Sequence, residues 1–165
     1  MATVRMELPI EQAVFDATAP CGLVMVNSAA KLTFDDTTDE TCYFRFLMPS
    51  NYVDTLKLIV LFTMDTDHAA AHKVEFEATW MAVTPADAQD VDTDSYDAVN
   101  RGNTTIPDDL GYLKECSITC TNEDGVAAHD WVKVKLSRDA DGTGGNDDAT
   151  GDCEVRGVAL EYADA

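Results

Sequence analysis

From residue 30 onward, apolar and polar residues alternate along most of the chain, which is typical of β-strands that bury one face. Residues 42–48 show the pattern well, with apolar side chains at every second position: Cys42, Phe44, Phe46 and Met48. Similar alternation predicts further strands over residues 31–34, 56–64, 74–83, 113–121 and 132–136. The spacing therefore predicts an all-β protein.

The strand predicted over residues 56–64 is apolar on both faces. One face carries Leu56, Leu58, Val60, Phe62 and Met64. The opposite face carries Ile59 and Leu61. Such a strand is central in its sheet or has its outer face covered. We expect Ile59 and Leu61 to be covered by another copy of the chain in a closed assembly, with a trimer favoured.

The final strand changes parity. Cys153 and Val155 share one face, whereas Val158 and Leu160 alternate on the opposite one, so a β-bulge at residues 156–157 is predicted to bring both sets to the core. Residues 85–107 form a long polar connection, expected to cross between sheets, and residues 86–99 are where a short helix fits. Seven or eight strands with this spacing predict an antiparallel β-sandwich of jelly-roll type over residues 30–165.

Residues 1–29 show no sustained period and are predicted to form an irregular N-terminal arm. Their apolar residues are expected to contact a partner subunit: Leu8, Ile10, Val14, Phe15, Leu23 and Val26. On this hypothesis, removing residues 1–20 leaves the sandwich folded and weakens assembly.

The charge balance of the chain limits the classes of partner that it can bind. The chain of 165 residues has 31 acidic and 11 basic side chains, a net charge of −20. Phosphate backbones repel such a chain, so no nucleic-acid partner is expected. No apolar run reaches the roughly 18 residues of a membrane helix, so no membrane partner is expected either.

The five cysteines are predicted to be free, buried thiols. Their number is odd and no C-x-x-C pair occurs, which argues against a disulfide framework and a zinc site. Because the N-terminus also shows no secretory signal pattern, assembly in a reducing cytoplasm is expected.

Two acidic segments leave calcium binding open. Residues 139–150 place oxygen side chains at alternate positions around Gly142, as calcium loops do, but Thr150 stands where a bidentate Glu is usual. A solvated hairpin loop is therefore the favoured interpretation. The second segment contains Asp90, Asp92, Asp94 and Asp97.

Other candidate chemistry is sparse. His68 and His72 have the spacing of zinc ligands on a helix, yet they lie between two predicted strands. Trp131 faces outward by parity, where it either stacks on a sugar ring or is covered by a loop or subunit. No nucleophile elbow, P-loop or dinucleotide fingerprint occurs, so no cofactor, no catalytic residue and no enzymatic activity are expected.

Several segments together resemble a family of small virion proteins of tailed bacteriophages. They are Asp35–Glu40, Tyr43–Phe46 with Pro49, Leu56–Phe62, Asp90–Thr93, Asp130–Val132 and Ser137–Asp141. The resemblance covers about residues 30–163. It implies a non-enzymatic jelly-roll protein of the particle, plausible as a capsid decoration (cement) protein, and such proteins commonly form trimers on the shell.

The leading hypothesis is thus a structural virion protein that binds and stabilises the assembled phage head. Its partners would be the major capsid protein and itself, as a homotrimer on the capsid surface of the virion, assembled in the host cytoplasm. The alternative is a glycan- or host-binding jelly-roll module of a tail or fibre, which would use Trp131 and calcium-loaded acidic loops.

Overall fold

Residues 2–164 are described by a computed structural model, in which two antiparallel β-sheets pack face to face around an apolar core. Eleven strands lie in this range: β1 (Thr3–Leu8), β2 (Val14–Phe15), β3 (Gly22–Val26), β4 (Ala29–Phe34), β5 (Thr41–Leu47), β6 (Tyr52–Met64), β7 (Lys73–Val83), β8 (Asn100–Thr105), β9 (Lys114–Thr119), β10 (Trp131–Arg138) and β11 (Cys153–Asp164). The predicted all-β jelly-roll sandwich is confirmed.

The strand order alternates between distant parts of the chain. The first sheet has the order β3-β4-β11-β6-β9, and β1 continues the edge of β11 beyond the end of β4. The second sheet has the order β2-β5-β10-β7-β8. Because almost every neighbour in a sheet is remote in sequence, the last two strands must be in place before either sheet is complete.

The predicted inward faces do form the core. On β5, β6, β7 and β10, the alternate apolar side chains are buried between the sheets. Phe76 of β7 joins the two sheets, since its ring centroid lies 6.2 Å from that of Phe34 and 5.7 Å from that of Phe62. Strand β6 is central, as predicted, between β11 and β9.

The predicted bulge in the last strand is also confirmed. The pairing of β11 with β6 shifts register between Val155 and Gly157. As a result, Cys153 and Val155 before the shift and Val158 and Leu160 after it all point into the core.

The N-terminal segment differs from the irregular arm expected from the sequence. Strand β1 pairs with β11 over six residues, from Thr3 with Ala163 to Leu8 with Val158. Leu8 and the following Ile10 are each only 5% exposed and belong to the core. Strand β1 does alternate, but the pattern is short and stops at Pro9. Its partner strand β11 lies about 150 residues farther along the chain, so the sequence carried only a weak signal for the pairing.

The long polar connection contains a strand that the pattern did not indicate. Strand β8 pairs with β7 in the same sheet, so the chain crosses to the other sheet only after β8, over residues 106–113. Strand β8 is an edge strand with the polar sequence Asn-Arg-Gly-Asn-Thr-Thr, which has no apolar alternation to detect. Within residues 2–164 the helical structure is a single 3-10 turn, Ile10–Gln12, rather than a helix in residues 86–99.

The five cysteines are all free and buried, as predicted. Burial raises the pKa of Cys116 and of Cys120 to about 12, so both thiols stay protonated at neutral pH. No helix in the described residues has the length and hydropathy to cross a bilayer.

A buried ion pair closes one end of the sandwich. The guanidinium of Arg138, at the end of β10, is fully buried and donates through Nε and Nη2 to the two oxygens of Asp147, both at 2.9 Å. It also donates to the carbonyls of Ala149 (2.6 Å) and Gly151 (2.8 Å). Burial alone would lower the pKa of Arg138, but Asp147 outweighs it, and the pKa is raised.

The loop of residues 139–152 is therefore anchored rather than the solvated hairpin expected. Asp139 is fully buried and accepts from the Thr143 hydroxyl at 2.9 Å and the Gly144 N–H at 2.6 Å. Asp148 accepts the N–H of Lys73 at 2.6 Å. These acidic side chains accept hydrogen bonds that hold the loop in place, a role that sequence spacing does not distinguish from solvation.

We predict that Asp147→Ala lowers the free energy of unfolding by about 3–5 kcal/mol, because it leaves a buried guanidinium without its counter-charge. Urea denaturation followed by tryptophan fluorescence measures the loss. The matched control is Glu115→Ala, which removes the carboxylate of the half-exposed pair with Arg5 and should cost less than about 1 kcal/mol. Equal losses in the two variants would contradict a structural role for the buried pair.

Candidate ligand-binding cleft

The outer face of the second sheet carries a row of aromatic and basic side chains. Val132, Val134 and Leu136 of β10 point into the core, so the residues between them point outward. The register of β10 with β5 sets Trp131 opposite Leu47 and Lys133 opposite Arg45. Tyr43 stands opposite Lys135, one pair farther along the same face.

The loop of residues 84–99 covers the neighbouring part of this face. Met81 and Val83 of β7 point outward by parity, yet they are only 1% and 6% exposed. The loop is tied to β7 next to Met81, where the Asp97 N–H donates to the Trp80 carbonyl at 2.8 Å. The loop forms a wall over β7 and leaves the face of β5 and β10 open.

A cleft of about 410 Å³ lies against this wall. It is lined by Val14, Phe15, Asp16, Ala17, Tyr43, Arg45, Val91, Asp92, Trp131 and Lys133. An adjoining depression of about 440 Å³ shares Arg45 and Trp131 with it and extends to Gln12. The two together form an open groove with the dimensions of small-ligand sites.

Tyr43 is held in one orientation at the cleft. Its hydroxyl donates to Asp16 Oδ2 at 2.7 Å. The pKa of Asp16 is lowered to about 2 by hydrogen bonds from the Ala19 N–H, the Tyr43 hydroxyl and the Thr18 N–H. Burial and the Asp16 charge raise the pKa of Tyr43, so the phenol remains a donor and its ring is fixed.

The cations of the cleft lack acidic partners. The Lys133 ammonium lies 5.0 Å from the ring centroid of Tyr43 and 5.5 Å from that of Tyr96, in cation–π geometry. Arg45 is exposed. Within residues 2–164, neither cation has a carboxylate at ion-pairing distance.

Sequence parity placed Trp131 on the outer face, and the structure confirms it there, half-buried at the junction of the two depressions. The other cleft residues were not identified as a site. Tyr43 and Arg45 were visible as the outward positions of β5, but only the register with β10 shows that they face Lys133 and Trp131.

The residues predicted as assembly contacts divide into three groups. Leu8 and Ile10 are core residues and are not available to a partner. Val14 and Phe15 are exposed on β2 and line the cleft. Leu23 is exposed and Val26 half-buried on β3, the edge strand of the first sheet, so contacts of these two with a partner stay a prediction.

Ile59 is covered within the chain, contrary to the expectation of an exposed apolar pair. It is 1% exposed although it faces away from the core. Arg5 of β1 spans β11 and β6 to reach Glu115 of β9, donating at 2.8 and 3.0 Å, and it lines a surface pocket together with Ile59 and Leu61. Only Leu61 remains half-exposed beside it.

The acidic segment after β10 contributes to a carboxylate cluster in a different combination from the one predicted. Oxygens of Asp39, Asp139 and Asp141 lie within 4.8 Å of one another. Both Asp139 oxygens already accept hydrogen bonds from the loop, and an Asp39 oxygen accepts the Asp141 N–H at 3.1 Å. Asp90, Asp94 and Asp97 instead accept backbone N–H groups in their own loop.

The spacing of His68 and His72 is not presented on a helix. They lie in the turn before β7, where His72 Nδ1 is 2.7 Å from Asp67 Oδ2. The hydrogen bond with Asp67 raises the pKa of His72. Burial opposes ionisation of Asp67, but bonds from the Ala69 N–H, His72 and the Thr150 N–H outweigh it and lower its pKa to about 2.

Comparison with solved structures finds the same fold in carbohydrate-binding modules. A xylan-binding module, CBM15, has a TM-score of 0.50 at 12% identity, over 99% of each chain. CBM35 from Cellvibrio japonicus Abf62 has a TM-score of 0.52 at 8% identity, over 98% of this chain and 99% of that one. No family model matches the sequence, and no curated protein matches it.

A third similar structure comprises the CBM22-1 and GH10 modules of xylanase 10B from Clostridium thermocellum, complexed with xylohexaose. It has a TM-score of 0.50 at 10% identity, over 98% of this chain and 28% of that one. At such identities the likeness establishes the shared jelly-roll fold.

We predict that the Asp67–His72 pair stabilises the fold within a limited pH window. Because the pKa of His72 is raised, its charge contributes fully to the free energy of unfolding below pH 6.5, the ordinary pKa of histidine. This contribution is lost as the pH rises through the raised pKa. Because the pKa of Asp67 is lowered, its charge contributes fully to the free energy of unfolding above pH 3.8, the ordinary pKa of aspartate. This contribution is lost as the pH falls towards about 2. The unfolding free energy lost in His72→Gln should thus be largest between these ordinary values and shrink on either side.

Urea titrations across this range measure the loss. His68→Gln is the control, because its ring contacts only the Thr66 carbonyl at 3.4 Å and should show no such window. A His72→Gln loss that does not vary with pH would mean that the ring acts by packing rather than by charge.

Proposed function

We propose that this chain is a non-catalytic carbohydrate-binding module that holds a glycan across the open face of β5 and β10. The observation that carries the proposal is the exposed groove in which Trp131, Tyr43 and Phe15 are presented beside fixed polar groups. Sugar rings bind by stacking their C–H faces on aromatic rings, with hydrogen bonds to polar side chains around them.

The geometry of the groove favours an extended ligand over a compact one. The two depressions meet at Arg45 and Trp131. Together they run from Val91, on the loop that forms the wall, to Gln12, in the 3-10 turn before β2. Trp131 occupies the middle, where a stacked ring gains most from burial. Tyr43 and Asp16 are already locked to each other, so the site loses little conformational entropy on binding.

The fold gives independent support. The jelly-roll sandwich is shared with a module described as xylan-binding and with the CBM22-1 and GH10 modules complexed with xylohexaose, at identities too low to carry a ligand over. Xylan is therefore a rational first probe, with mannan and cellulose beside it. The Asp39 cluster is not needed for this proposal, because it lies at the Arg138 end of β10 and outside the groove.

We predict that Trp131→Ala weakens polysaccharide binding by about 30-fold or more, the effect of losing about 2 kcal/mol at a central aromatic contact. Affinity electrophoresis against a panel of soluble polysaccharides, followed by calorimetry on the best ligand, measures the change. Tyr112→Ala is the control, because Tyr112 is an exposed aromatic outside the groove. A panel in which wild type binds nothing, or an equal loss in both variants, rejects this site.

A second candidate function remains the structural one, a capsid decoration protein that assembles on a phage head. One observation favours an assembly role. Edge strand β3 exposes Leu23, Val24 and Met25 in succession, and residues 17–30 carry no charge in a chain of net charge −20. An uncharged apolar edge strand is a ready site for strand pairing with another chain.

We predict that, if the chain assembles through β3, Val24→Lys abolishes the association, because a lysine on an edge strand blocks pairing. Sedimentation of the free protein and co-sedimentation with phage shells measure it. Val53→Lys is the control, since Val53 is similarly exposed on β6. A wild-type chain that is monomeric and does not co-sediment excludes this candidate, and binding to shells that survives Val24→Lys excludes β3 as the contact.

A further inference from the structure

The basic residues of this acidic chain are unevenly distributed. Six of the eleven form ion pairs with carboxylates: Arg5, Lys31, Lys57, Arg101, Arg138 and Arg156. Five have no such partner within residues 2–164: Arg45, Lys73, Lys114, Lys133 and Lys135. Three of these five stand together on the outer face of β5 and β10.

The arrangement of these three cations carries a cost for folding. Arg45 and Lys133 are directly opposite each other across the β5–β10 pair. Like charges at directly opposite positions destabilise a sheet. With 31 carboxylates in the chain, a neutralising partner would be easy to supply, as it is for Arg5 and Arg156.

The carboxylates near the groove do not provide that neutralisation. Asp16 is engaged by the Tyr43 hydroxyl and by the N–H groups of Thr18 and Ala19. Asp92 lines the opposite side of the cleft on the loop wall, beyond ion-pairing distance of either cation. The Lys133 ammonium lies over the rings of Tyr43 and Tyr96 and has no carboxylate at ion-pairing distance within residues 2–164.

We propose that the groove binds a negatively charged glycan, whose carboxylate or sulfate groups are received by Arg45 and Lys133 while a sugar ring stacks on Trp131. This inference rests on the proposed function and specifies its ligand class. A guanidinium presents paired N–H donors that match the two oxygens of a carboxylate or sulfate. Arg45 lines both depressions, so it can reach an anionic group on either side of the stacked ring.

A glycan fits this site better than a nucleic acid does. A phosphate backbone carries a charge on every unit, and the remainder of the surface, with its large excess of carboxylates, repels it. A polysaccharide with acidic groups on some of its sugars matches a groove in which two cations without carboxylate partners stand beside the aromatic rings.

The test compares charged and neutral forms of the same polymer by affinity electrophoresis and calorimetry. The probes are glucuronoxylan and its carboxyl-reduced form, dextran sulfate and dextran, and an oligothymidylate. We expect the charged form of at least one pair to bind about tenfold or more tightly than its neutral form, the value of one charge-assisted hydrogen bond. The pair that shows the difference identifies carboxylate or sulfate as the recognised group.

Variants separate this inference from the proposed function. Arg45→Gln should lower the ratio of charged-form to neutral-form affinity towards one, whereas Trp131→Ala should weaken binding of both forms and leave that ratio unchanged. Lys114→Gln, which removes an unpaired cation outside the groove, is the control and should change neither. Rising salt should weaken binding of the charged form selectively.

Three outcomes overturn the inference. Equal binding of charged and neutral forms leaves a neutral-glycan module in place and rejects charge recognition. Tighter binding of the oligothymidylate than of any glycan assigns the cations to nucleic acid. An absence of binding to every polysaccharide, neutral or charged, rejects the proposed function and this inference with it.

Discussion

The buried ion pair between Arg138 and Asp147 is the contact on which the two-sheet arrangement depends. Arg138 ends a strand of the second sheet, and its guanidinium reaches the carbonyls of Phe34 and Gly151, which adjoin strands of the first sheet. A fully buried cation requires every donor to be satisfied, so it dictates the path of residues 147–151. The end of the sandwich is thus organised by polar constraint as much as by apolar packing.

The same principle explains the excess of aspartate over glutamate. Asp16, Asp35 and Asp90 each accept a backbone N–H two residues ahead. A short carboxylate reaches its own turn, whereas glutamate is too long to do so readily. Part of the negative charge is therefore a by-product of loop construction, so the net charge of −20 does not by itself indicate a cationic partner.

Much of the sandwich could be predicted from the sequence because its central strands bury one whole face. The alternation of β5, β7 and β10 and the bulge in β11 follow from that burial. Strands β1 and β8 could not be found in the same way, because one is a single short alternation and the other is a polar edge. Ile59 was assigned to a partner because its burial within the chain depends on strands that pair across long sequence distances.

The candidate site, too, could be predicted only in part, because it depends on contacts between strands that are remote in sequence. Parity alone placed Trp131 outward, but the pairing of Arg45 with Lys133 depends on a register between strands that are some 90 residues apart. The net charge excluded a nucleic-acid partner but could not show the local group of cations, since a charge count averages over the surface. At physiological salt the screening length is about 8 Å. Within that distance an acidic group seated in the groove meets Arg45 and Lys133 before it meets most of the 31 carboxylates, whereas a long polyanion also meets the acidic remainder of the surface.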